Sequence, residues 1–284
     1  MTVQKTRGRA KVRHAAERGP RGTLFALVSH LMRLQLKSVL IWGFAIGLYS
    51  AAMAASFTTF AGDADQLNQL LDAYPEGMLD AFGITDLGQV ENYMNSQVFL
   101  LAPLALAFFT ILALAGALAG AEERGAIDVL LGNPLPRWQL VLGNFLATAL
   151  SLAGIVAIVG ALTWGTAVLM DIDLSLEDTA AAVFNLWPIC LFFGSVALLC
   201  SAAFHRRALA VAIPAFLLFA MYLLDVMGRV SEDLEYLQPY SVFYYYGSAI
   251  EDGIDWANFG GVTAVAVVFA LLAVLVFRRR DIYT

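Results

Sequence analysis

Residues 97–120 read QVFLLAPLALAFFTILALAGALAG, and residues 121–139 continue AEERGAIDVLLGNPLPRWQ. The first stretch holds 24 residues without a charge, and about 20 suffice to carry a helix across the hydrocarbon of a bilayer. It ends on Glu122, Glu123 and Arg124, and a second long apolar run, Trp138–Met170, begins directly after Arg137. An apolar run, a short charged link and another apolar run describe a chain that crosses a membrane, turns and crosses back.

The same alternation recurs on both sides of this stretch. Apolar runs lie at about 38–57, 97–120, 138–170, 181–204, 208–224 and 258–277. Nine Lys and Arg precede the first run. Arg124 and Arg137 follow the second, Arg206 and Arg207 the fourth, and Arg278, Arg279 and Arg280 the sixth. The intervening segments hold 18 of the 23 carboxylates and, of the 17 Lys and Arg, only Arg229. Basic residues beside a span are retained on the cytoplasmic side. The expected fold is therefore an all-α integral membrane protein of six transmembrane helices, multi-pass in the plasma membrane, with both termini cytoplasmic.

Composition agrees. The chain is 60% hydrophobic and 14% charged, with mean hydropathy +0.72, whereas soluble domains are about 45–50% apolar and 25% charged. The net charge of −6 comes mainly from the outer loops, and nucleic acid, which requires a basic face, is not an expected partner. No cleavable signal peptide is legible, so the first run is expected to act as an uncleaved anchor.

Two regions are expected. Residues 1–22 are basic and poor in large apolar side chains, as in a disordered cytoplasmic tail. The tail serves as a topology signal or, alternatively, touches anionic membrane lipid at about 1 kcal/mol per basic residue. Residues 23–284 form the six-helix domain. Within it, Leu24, Leu27, Val28, Leu31 and Leu34 recur at helical spacing in residues 23–37, which predicts an amphipathic helix in the cytoplasmic interface. The alternative is a plain extension of the first span. That span is rich in small residues, among them Gly43, Gly47, Ser50 and Ala54, so it should pack closely against another helix.

Residues 58–95 carry seven carboxylates and no Lys or Arg. Leu67, Leu70, Leu71 and Tyr74 form one stripe; Pro75 opens a second pattern of Met78, Leu79 and Phe82, ended by Gly83. Two short external amphipathic helices are expected there. Tyr236, Tyr240, Phe243, Tyr244, Tyr245 and Tyr246 form an aromatic cluster before the last span, suited to an interface by their apolar bodies and polar tips.

Few residues carry chemistry. His14, His30 and His205 lack carboxylates at metal-ligand spacing, so no metal site is expected. Cys190 and Cys200 lie ten residues apart in one run, about 15 Å along a helix and too far for a disulfide. No carboxylate sits at mid-membrane, as an ion-coupled carrier would require; Asp225 falls at the outer end of the fifth run. Asn144, Asn185, Ser151 and Thr163 suit hydrogen bonds between helices, and no substrate-path residue is assigned. Pro103, Pro188 and Pro214 are expected to kink their spans.

The cytoplasmic link 121–139 is the richest segment. Ile127, Val129, Leu130 and Leu131 make a short apolar patch, broken by Pro134 and Pro136. Such a patch suits the groove of a partner protein; the alternative is an ordinary re-entry turn against the bilayer. The string Glu-Glu-Arg-Gly, an acidic residue, Leu-Leu, a proline pair and Arg resembles the cytoplasmic loop of the ATP-binding-cassette (ABC) type-2 permeases. Three more stretches are similar to that family: LLDAYPEGMLDAFGI at 70–84, LQPYSVFYYY at 237–246 and FRRRDI at 277–282. The longer basic tail departs from it.

The resemblance implies a permease subunit that pairs with a second permease, identical or different, and with an ABC ATPase. It implies that the loop after the second span is a coupling helix inserted in the ATPase, which here would comprise Glu122, Glu123, Arg124, Gly125, Ile127, Asp128, Leu130 and Leu131. The cargo implied is a drug, an antibiotic or another lipophilic compound, moved outward. No GxxxxGK[ST] phosphate-binding loop occurs in the sequence. The chain is therefore expected not to be an enzyme and to hold no cofactor, ATP and Mg²⁺ residing on the partner ATPase. An ion-coupled secondary carrier and a non-transporting membrane sensor or assembly protein are the competing expectations.

Overall fold

The computed structural model describes residues 20–60, 79, 89–125 and 136–280. The basic tail, nearly all of the two external amphipathic segments and residues Ile127, Asp128, Leu130 and Leu131 lie outside them. The described residues are helical, with no strand among them. Six helices are long and apolar enough to cross a bilayer.

Helix α1 spans Pro20–Phe60 without interruption. No Gly or Pro falls at the junction expected near residue 37, so the amphipathic segment 23–37 and the first span are one rod. At 1.5 Å per residue it is roughly 60 Å long, about twice the hydrocarbon thickness. Its N-terminal third therefore continues past the hydrocarbon.

The second crossing is built from pieces: α2 (Val90–Met94), a π-helical turn (Asn95–Phe99), α3 (Ala102–Ala115) and α4 (Ala119–Glu123). Pro103 sits in the first turn of α3, where its missing N–H costs nothing. Helix α5 (Arg137–Leu169), α6 (Leu176–Ala203) and α7 (Arg207–Val230) follow, and α6 and α7 continue through Pro188 and Pro214. A 3-10 segment (Glu232–Tyr240), the short α8 (Ala249–Asp252) and α9 (Trp256–Arg279) complete the chain. Asp255 caps α9 by accepting from the Ala257 and Asn258 N–H groups at 2.9 and 3.1 Å.

Helix α6 is the hub and packs on α3, α5, α7 and α9. Its Gly194 lets α3 approach closely: a Cβ there would lie 2.7 Å from Thr110 Cβ. The Thr110 hydroxyl donates across that contact to the Cys190 carbonyl at 2.6 Å. Both cysteines are buried free thiols.

The longest helix contact joins α1 to α5, which run parallel. The expected small-residue packing is found here. A Cβ on Gly43 would meet Ile158 Cδ1 at 2.9 Å, and one on Gly47 would meet Leu162 Cδ1 at 2.6 Å. Ser50 and Thr163 share a buried 2.6 Å hydrogen bond one turn further on.

The bundle has a basic end and an acidic end. At the acidic end Asn95 donates to Glu251 at 2.7 Å, Asn185 to the Tyr246 carbonyl at 2.6 Å, and the Tyr246 hydroxyl to the Phe99 carbonyl at 3.1 Å. Burial pushes the Tyr246 phenol well above its ordinary pKa. The aromatic cluster therefore divides: Tyr236, Tyr240 and Tyr244 are exposed, while Phe243 is buried. Not every polar residue within the spans bonds across helices. Asn144 donates to Leu140 in its own helix at 2.8 Å, and the Ser151 hydroxyl is buried without a partner.

Candidate functional site

The expected coupling segment begins where the second crossing breaks. After α3 the chain turns at Gly116–Leu118 and re-forms as α4. Ser201, near the end of α6, holds this break: its hydroxyl donates to the Ala115 carbonyl at 3.0 Å and accepts from the Leu118 and Ala119 N–H groups at 3.3 and 2.9 Å. Backbone groups that a straight helix would satisfy are thus satisfied by a side chain, and α4 is set on a new axis.

That axis carries two carboxylates to the α6–α7 turn and to the end of α9. Glu122 Oε2 lies 2.5 Å from Arg280 Nη2, and its Oε1 lies 2.7 Å from His205 Nδ1. Glu123 Oε1 accepts from the Arg207 N–H at 2.8 Å. Gly125 ends α4 in the left-handed region at φ 65°, where its N–H donates to the Glu122 carbonyl at 2.8 Å. A glycine there avoids the roughly 1–2 kcal/mol an L-residue would incur.

Arg280 is the centre of the cluster. Its Nη1 donates to the Ser201, Ala202 and Phe204 carbonyls at 3.3, 3.1 and 3.3 Å. These are the carbonyls a helix C-terminus leaves unsatisfied, and a cation there also complements the helix dipole. Its Nη2 meets His205 Nδ1 as well as Glu122. The far end of the link is fixed to the same place. Arg137 Nη1 donates to the Phe277 and Arg280 carbonyls at 3.3 and 2.7 Å, and its guanidinium lies 5.8 Å from the Phe277 ring centroid. The described residues on either side of the link, up to Gly125 and from Pro136, are thus held at one anchor, Phe277–Arg280.

Of the eight residues expected to couple, Glu122, Glu123, Arg124 and Gly125 fall in this described cluster, with Arg124 exposed; the other four lie outside the described residues. Sequence reasoning overlooked Ser201, His205 and Arg280 as members of the site. The arginines registered only as topology signals, and nothing local links them to Glu122. The cluster contains no nucleophile set against a base. Mechanically, it ties together the two described ends of the link.

A protein-family model described as ABC-2 family transporter protein matches residues 30–282. No curated protein matches the chain.

Proposed function

Because the chain belongs to the ABC-2 family of transporter proteins, we propose that it forms the membrane path of an exporter and receives its power stroke through residues 121–137. Its family membership makes it a membrane subunit of an ABC transporter, a transport component that works with an ABC ATPase. ATP and Mg²⁺ belong on that ATPase. The basic end of the bundle faces the cytoplasm of the cell, in keeping with the retention of Lys and Arg there. A second permease, identical or different, completes the path. The cargo is a drug, an antibiotic or another lipophilic compound.

The observation that supports this reading best is the shared mount of the 121–137 link. A loop displaced by an ATPase does work only if its two ends move something. Here one end bears through Glu122 on Arg280 and His205, and the other through Arg137 on the Arg280 carbonyl. A push on the loop therefore reaches α6 and α9 together, and α6 contacts α3, α5 and α7. Closure of the ATPases would tilt this group as a body and open the path alternately to each side.

The test is reconstitution in proteoliposomes with and without the ATPase. ATP should drive movement of a lipophilic dye only when both chains are present, and this chain alone should turn over no ATP. Robust hydrolysis by the isolated chain, or ATP-independent transport driven by a proton gradient, would overturn the proposal.

A further inference from the structure

A cleft of about 710 Å³ opens at the basic end between the N-terminal part of α1 and the face made by α3, α4 and α5. Its lining differs in chemistry. His30, Arg124 and Arg207 line its basic end, whereas Leu34, Trp42, Phe109 and Leu112 line the rest. From His30 to Trp42 the cleft follows α1 for twelve residues, roughly 18 Å, close to the depth of one hydrocarbon leaflet.

The two arginine side chains pass the same point beside Gly120. A Cβ on Gly120 would lie 3.1 Å from Arg207 Cδ and 3.5 Å from Arg124 Nη1, and one on Gly116 would lie 3.8 Å from Arg207 Nε. Neither arginine side chain has an ion-pair partner among the described residues, although Glu122 and Glu123 make three contacts nearby. Glu122 is engaged by Arg280 and His205, and Glu123 by the Arg207 backbone N–H. Arg207 Nε is buried without a hydrogen-bond partner, as is Gln35 Oε1 on the facing wall. Two like charges side by side repel, and a buried donor without an acceptor is costly. An anion between the arginines would relieve both.

We propose that this cleft binds an anionic phospholipid from the surrounding leaflet, its phosphate between Arg124 and Arg207 and one acyl chain along Leu34, Trp42, Phe109 and Leu112. A free anion would satisfy the arginines but leave the apolar lining uncovered. A neutral lipid would cover the apolar lining and leave the arginines unpaired. Basic pockets between membrane helices match the headgroup of an acidic lipid for this reason. The proposal stands whether or not the chain transports a solute.

The experiment is native mass spectrometry of the purified full chain in detergent, titrated with dioleoyl phosphatidylglycerol, dioleoyl phosphatidylcholine or inorganic phosphate. The acidic lipid should bind about tenfold more tightly than the zwitterionic one, the order expected for two cations at a headgroup. R124Q/R207Q should erase that preference and R124K/R207K should keep most of it. A113W, which fills the cleft and retains both charges, should weaken phosphatidylglycerol binding. Equal affinity for the two lipids, a preference that survives R124Q/R207Q, binding unaffected by A113W, or displacement of the lipid by phosphate alone would overturn the proposal.

Discussion

Arg280 Nη2 lies 2.5 Å from Glu122 Oε2, so the residue that follows the last span grips the turn that follows the second. Arg280 is only 9% exposed and Glu122 20%, and the pair is therefore less screened than a surface ion pair. The arginine also caps the carbonyl end of α6, while its own carbonyl accepts from Arg137. One residue thus joins α4, α5, α6 and α9 where the described ends of the link meet the bundle. Were the loop mounted on a single helix, a push would bend that helix; mounted on four, it must rotate them together.

R280A should leave Glu122 partly buried without its cation and the Ser201, Ala202 and Phe204 carbonyls without this donor. The expected destabilisation is about 3 kcal/mol, read as a lowered melting temperature of the detergent-solubilised protein. R280K should recover only part of it, because an ammonium cannot span both the carboxylate and the carbonyls as a planar guanidinium does. E122Q should be milder than R280A and should lower transport per ATP hydrolysed more than it lowers stability. Equal losses in the two variants would remove the anchoring role.

Replacing Leu130 and Leu131 together with Asp should abolish co-purification with the ATPase while leaving membrane insertion intact. An aqueous phase leaves the apolar patch of the link unsatisfied, and a partner groove would bury it. Recovery of the intact complex after the double change would argue against docking through this segment.

The six crossings were legible because a charge-free run of some 20 residues leaves a chain few alternatives to a membrane helix. The third was expected at 138–170 and is found at Arg137–Leu169. Other features were not legible. Apolarity reports the surroundings of a helix and says little of its straightness, so the π-helical turn Asn95–Phe99 and the break at Gly116–Leu118 were invisible within one uniform run. The amphipathic pattern of residues 23–37 suited an interfacial helix and, as the alternative, an extension of the first span, and α1 runs unbroken through both. The anchor was hidden for another reason. Glu122 lies 83 residues from His205 and 158 from Arg280, and no local pattern announces a pairing over that distance.

G47V should separate α1 from α5. Its Cβ would fall 2.6 Å from Leu162 Cδ1 and 3.3 Å from Val159 Cα, and the backbone atom cannot move aside. About 1–3 kcal/mol of destabilisation is expected from such overpacking, measured by thermal unfolding. At Gly260, where a Cβ would meet nothing within 4 Å, G260A should be nearly neutral.

A cysteine at Gly125 reports orientation. The native Cys190 and Cys200 are both buried, so a membrane-impermeant maleimide should label G125C alone. Labelling is expected in inside-out vesicles and not in intact cells. Labelling of intact cells would place residues 121–137 outside and put the loop beyond reach of any cytoplasmic ATPase.

Arg229 is the one base expected among the outer segments, and it is paired: its Nη2 lies 3.0 Å from Asp225 Oδ2 one helical turn away. Asp225 is 2% exposed, so the two charges neutralise each other, and among the described residues positive charge concentrates at the basic end. R229L, which strands a buried carboxylate, should destabilise by about 3 kcal/mol, whereas D225N/R229L, which removes both charges, should cost much less. The same pair separates ATP-driven transport from ion coupling. A carrier that used Asp225 as its proton site would lose transport entirely in D225N/R229L. An ATP-driven subunit should keep it, because the pair holds α7 to itself at the acidic end and lies across the bundle from the loop mount. ATP-dependent dye movement in proteoliposomes bearing the double variant and the ATPase decides between them.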